Sequence, residues 1–206
     1  MIFSCQKTTT TAVTYPNYMP LKVGNYWIYN NYMETTPGNI AITNTIDSVV
    51  IDKDTIINGK VFYKKIHYNG SILNGIITYS GPYYISYIRY EDGQLIDHNN
   101  RIEFSAHEGL ATFHIDTVIY SDSTASLISY AYTTTGVMNA VETVDAGVFS
   151  CIENKIVVTD RRHGISNSHP DHYQYYAENV GKVSRIDYYL LSNKRSEKRL
   201  YRYKVE

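Results

Sequence analysis

The stretch DTIINGKVFYKKI, residues 54–66, decides how this chain folds. At its centre stands Asn58-Gly59, a pair that supplies the two positive φ angles of a tight two-residue turn. The flanking runs therefore read as the arms of a β-hairpin, over 55–58 and 61–68. The same signal recurs at Asn69-Gly70, Asn74-Gly75 and Asp92-Gly93, each read as a turn between strands. YYISYIRYEDGQLIDH, residues 83–98, is a second hairpin on this reading.

Working outward, the apolar period from Leu21 onward is two rather than 3.6. FHIDTVI places Phe113, Ile115, Thr117 and Ile119 on one face, and SLISYAY aligns Ile128, Tyr130 and Tyr132. SRIDYYL aligns Ile186, Tyr188 and Leu190, and RLYRYKV aligns Tyr201, Tyr203 and Val205. Such alternation marks half-buried strands. Further strands are expected over 25–33, 44–52, 72–79, 94–97, 101–106, 148–159 and 172–177. GVMNAVETVDAG, residues 136–147, has apolar residues at helical intervals. Its β-branched content and glycines make it a loop leading into a strand. So many short strands overfill one flat sheet. The expected fold is all-β with little helix: an antiparallel, strongly curved sheet or an open β-barrel.

Composition narrows function by exclusion. The 206 residues carry 19 Lys+Arg against 20 Asp+Glu, a net charge of −1. That balance gives no long-range field to gather nucleic acid, and no nucleic-acid partner is expected. Tyrosine is abundant, at 22 against five Phe and one Trp. Its apolar ring and polar tip suit a sheet face that is partly wet. The basic C-terminal stretch from Lys194 to Lys204 reads as a solvated outer strand whose lysines block edge pairing.

Residues 1–19 read as a flexible tether ahead of a single domain at 20–206. Ile2-Phe3-Ser4-Cys5 resembles a bacterial lipobox: an aliphatic residue, a small residue, then the cysteine that receives lipid. Cys5 is the expected attachment point. Each buried acyl CH₂ contributes about 0.8 kcal/mol, so two or three chains hold a protein on a membrane. Four threonines, Thr8–Thr11, and two prolines follow, a composition that favours extended chain. The other cysteine, Cys151, reads as a buried small apolar residue. A bridge between the two has no framework pattern behind it.

Four segments carry a resemblance to a group of uncharacterised bacterial secreted lipoproteins. They are PLKVGNYWIY (20–29), DTIINGKVFYKK (54–65), VDAGVFSC (144–151) and YYAENVGKVSR (175–185). The resemblance implies an antiparallel barrel-like fold and a place in the cell envelope, on a periplasmic or cell-surface face. It brings no catalytic signature. Members of the group tend to carry proline where this chain has Asp145.

The candidate chemistry is thin. His163, His169 and His172 could offer three imidazoles to a zinc ion, but Arg161 and Arg162 beside them would repel a dication. No nucleophile elbow, zinc-protease or phosphate-loop motif occurs, and no cofactor is expected. A curved sheet leaves a concave face, on which Trp27, Tyr29, Tyr84, Tyr130 and Tyr188 are the expected ligand-binding residues. The favoured function is an envelope-anchored, non-enzymatic binding or carrier module for an apolar or glycan ligand. The alternatives are a structural or assembly partner in the envelope, and a metal-dependent envelope hydrolase.

Overall fold

The computed structural model describes residues 14–107, 112–120, 126–134, 138–162, 165–189, 192 and 194–206. Among them there is no helix. The strands run β1 (Tyr26–Thr36), β2 (Asn39–Ile57), β3 (Lys60–Leu73), β4 (Ile76–Glu91), β5 (Gln94–Asp97), β6 (Ile102–Ser105) and β7 (Thr112–Tyr120). They continue as β8 (Ser126–Thr134), β9 (Ala140–Val144), β10 (Gly147–Arg162), β11 (Ile165–Ser168), β12 (His172–Ala177), β13 (Gly181–Tyr188) and β14 (Arg195–Lys204).

All form one antiparallel sheet, in the order β6-β5-β4-β3-β2-β1-β14-β13-β12-β10-β8-β7, with β9 and β11 paired to β10 off that path. The two ends of the path curl towards each other, giving a nearly closed barrel, as the number of strands led one to expect. Asn154 of β10 ties the seam. Its Oδ1 accepts the Ser105 backbone N–H at 3.3 Å and its Nδ2 donates to the Ser105 carbonyl at 3.3 Å. Arg101 Nη1 also lies 3.9 Å from Asp116 Oδ1 on β7.

Three of the four predicted turns are as expected. Asn58-Gly59 (φ 50° and 76°), Asn74-Gly75 (53° and 77°) and Asp92-Gly93 (50° and 71°) each reverse the chain with paired positive angles. Asn69-Gly70 does not turn. It lies inside β3, where a Cβ on Gly70 would come within 2.8 Å of the Thr78 carbonyl. Glycine serves close approach there rather than reversal. A turn at Pro37-Gly38, with Gly38 at φ 80°, went unpredicted. The strand ends it joins, 34–36 and 39–45, are largely exposed on both faces, so their sequence shows no alternation.

Residues 136–147, read as a loop, contain β9 and its hairpin turn into β10. This hairpin lies against β1, β13 and β14. Asp145 Oδ2 accepts Asn30 Nδ2 at 2.7 Å, and its Oδ1 accepts the Tyr32 hydroxyl at 2.9 Å. Ser184 donates to Glu142 at 2.8 Å. Proline at 145 could accept neither side-chain bond, so aspartate there replaces loop stiffness with a polar clasp. β14 is not an outer strand as expected but sits between β1 and β13. Four of its five basic residues are matched: Arg195 and Arg199 flank the buried Glu197, Lys198 reaches Asp47 and Lys204 reaches Glu206.

The boundary at residue 19 also moves. Tyr18 and Met19 are buried with Trp27, Leu95, Phe104, Val183 and Leu200. The Tyr90 hydroxyl donates to the Pro16 carbonyl at 2.7 Å, and Asn179 N–H donates to the Asn17 carbonyl at 2.7 Å. Tyr15 stacks on His107 at 4.6 Å. Three apolar side chains among prolines and threonines therefore close one end of the barrel, and composition alone concealed them. Residues 1–13, with Cys5 among them, lie outside the described residues.

Candidate functional site: a charged cup

Above the apolar floor the barrel opens into three adjoining chambers of about 200, 330 and 380 Å³. Arg185 lines all three. Met19 and Leu95 border the lowest, and Tyr130, Tyr132, His172 and Asp187 the highest. Strand alternation selects which side chains enter: Lys65 and His67 are two apart on β3, and Arg185 and Asp187 two apart on β13. The result is a wall of ionisable groups interspersed with tyrosines, where a lining of aromatic residues alone was expected.

Most of these charges are matched. Lys65 Nζ lies 2.8 Å from Glu103 Oε2, and Lys198 Nζ 2.6 Å from Asp47 Oδ2. Arg185 Nε donates to Asp187 Oδ2 at 2.6 Å, while His172 Nδ1 lies 3.1 Å from Asp187 Oδ1. Burial pushes the carboxyls of Glu103 and Asp187 up. Lys65 for the first, and His172 with Arg185 for the second, outweigh it, so both sit below the usual carboxylate range. Burial, aided by Lys65 and Lys182, pushes the His67 imidazole down to about 3.

Lys182 differs. No carboxylate lies within 4.0 Å of its Nζ among the described residues; the ammonium sits 5.3 Å from the centre of the Tyr176 ring. Burial first, then Arg185 and Lys65, lower its pKa to about 7. Its ammonium form therefore prevails below about pH 7 and its neutral amine above it.

The sequence-derived site residues scatter. Trp27 is fully buried, with Nε1 donating to the Val180 carbonyl at 2.6 Å; it holds the floor and does not line a chamber. Tyr29 lines the lowest chamber, its hydroxyl donating to the Lys182 carbonyl at 3.0 Å. Tyr84 borders the lower two chambers beside His67, ring centres 5.3 Å apart. Tyr130 lines the upper one. Tyr188 stands outside these linings, its ring 6.2 Å from His172.

Of the histidines, His172 faces Asp187 in the cup. His169 follows β11, its N–H donating to the Val158 carbonyl at 3.3 Å. His163 lies outside the described residues. Among the described residues no group of three His, Cys, Asp or Glu could hold a metal ion. The residues that reasoning from sequence missed are Lys65, Glu103, Lys182 and Arg185. The available signal was a charge on the inward parity of a strand, as in Lys65-Ile66-His67.

No family model matches the chain, and no curated protein matches it. Two solved structures are similar. One, from Parabacteroides distasonis, is described as a lipoprotein; it is 16% identical, with a TM-score of 0.58, over 92% of this chain and 99% of its own. The other, from Bacteroides fragilis, is described as an exported protein with a YmcC-like fold; it is 14% identical, with a TM-score of 0.51 and the same coverage. The chain therefore has the barrel fold of these two bacterial proteins.

Proposed function

We propose that the protein is a non-enzymatic binding or carrier module of the bacterial cell envelope, anchored through lipid on Cys5, whose cup takes a polar, glycan-like ligand. The observation that carries this reading is the cup itself: a closed apolar floor beneath walls that alternate tyrosines with charged groups. Tyrosine rings offer flat surfaces to sugar rings, and the ionic groups offer directed hydrogen bonds to hydroxyls. A lipid tail would strip water from Lys182, Arg185 and Glu103 without replacing it, which is costly. That cost favours the glycan half of the expected ligand class over the apolar half. The described exported and lipoprotein character of the two similar structures supports the envelope location.

Native mass spectrometry of the chain purified from bacterial envelopes, followed by a soluble-glycan screen, tests the reading. A co-purified or screened saccharide seated in the cup is the expected result. A bound acyl lipid, or cup-blocking substitutions that leave every binding event intact, would overturn it. Detergent partitioning of Cys5→Ala against wild type tests the anchor: the variant is expected to leave the membrane fraction.

A further inference from the structure

We infer that the cup's ligand carries an anionic group, a carboxylate or a phosphate, which seats on Lys182 with help from Arg185. This deepens, and rests on, the reading of the cup as a binding site.

The local backbone is built to aim Lys182 inward. Strict alternation would turn Lys182 and Arg185, three residues apart, to opposite faces of β13. Both nevertheless line the same chambers. The reason is a register irregularity between β12 and β13: Tyr175 pairs with Ser184, and the next residue, Tyr176, pairs with Lys182, so Val183 is skipped. Such bulges bend a strand and re-aim a side chain, and they recur beside functional sites.

What the re-aimed lysine meets is a gap in the charge pattern. Lys65 has Glu103, Lys198 has Asp47 and Arg185 has Asp187, whereas Lys182 has the Tyr176 ring and no carboxylate within 4.0 Å among the described residues. The Tyr176 hydroxyl is taken up by Gln174 at 3.1 Å. Arg185 engages Asp187 through Nε only, so its terminal nitrogens make no hydrogen bond among the described residues. An anion between Lys182 Nζ and those nitrogens would complete the pattern with charge-assisted bonds. The groups facing Lys182 are Lys65 and His67 on β3, Glu103 on β6, Tyr176 on β12, and Arg185 and Asp187 on β13. Glu103 is committed to Lys65, so the local balance stays positive until a ligand arrives.

Calorimetric titration of the full chain with glucuronate, glycerol 3-phosphate and glucose separates carboxylate, phosphate and neutral sources. At pH 6 at least one of the two anions is expected to bind. That binding should weaken about tenfold or more at pH 9, where Lys182 is neutral, although neither probe loses charge. Lys182→Met should reproduce the loss at pH 6, and Lys182→Arg should retain binding at both pH values. Anion binding that is unchanged in Lys182→Met and flat with pH overturns the inference. Binding of glucose without either anion also overturns it, while leaving the cup's glycan role standing. A wild-type chain that takes none of the three overturns the anion seat, and the glycan role then rests on the wider screen.

Discussion

Replacing Lys182 by methionine keeps the length of the side chain and removes a desolvated ammonium. In the fold this group titrates at about 7; in an unfolded chain a lysine titrates near 10.4. Between those values the unfolded chain binds a proton that the folded chain does not, so wild-type stability rises with pH across the interval. Below pH 7 the full penalty is present. A gap of about 3.4 units, at about 1.36 kcal/mol each, sets an upper bound of about 4.6 kcal/mol. Water in the open cup relieves part of it, and about 2–4 kcal/mol is the expected gain for Lys182→Met at pH 6. Urea unfolding followed by fluorescence of the single, buried Trp27 reads it directly. The measurement belongs between pH 6 and 9.5. Above that, Tyr83 and Tyr90, pushed up to about 12 by burial, stay protonated in the fold and stability turns down with rising pH. The wild-type and variant curves should converge as pH approaches 10. Parallel curves, or a variant less stable at pH 6, would refute the reasoning.

Gly181→Ala forces a Cβ to 2.9 Å from Trp27 Nε1 at a φ of 107°; a loss of about 2–4 kcal/mol in urea unfolding is expected, and a loss under about 0.5 kcal/mol would contradict the packing. Asn154→Ala removes both bonds across the seam to Ser105. It should cost about 2–3 kcal/mol and speed hydrogen exchange in β6 ahead of β1 and β14. Cys151 is buried, with its thiol pushed up to about 12. Peptide mapping after iodoacetamide at pH 8 should find it unmodified in the native chain and alkylated in urea.

The hairpins were legible because Asn-Gly and Asp-Gly carry their backbone angles in the sequence. Asn58-Gly59 needs no tertiary help, whereas Gly70 does: its purpose, close approach to Thr78, appears only once β3 and β4 pair. The cup was less legible, since the rule that charges face water inverts inside a barrel. Lys65, next to Lys64, looks like one more surface lysine; only the register with β2 and β4 shows that Lys64 faces Asp52 outside and Lys65 faces Glu103 within. Trp27 misled in the opposite sense. A lone tryptophan on a strand suggests a ligand platform, but here it fills the floor against Gly181. Lys182 was hidden by the bulge, because alternation assigns it to the wrong side.

Tyr18 and Met19 pack in the same core as Trp27, Phe104 and Leu200, so the cooperative unit begins ahead of its first strand, and trimming the chain back to Tyr26 would unroof that core rather than merely shorten a tail.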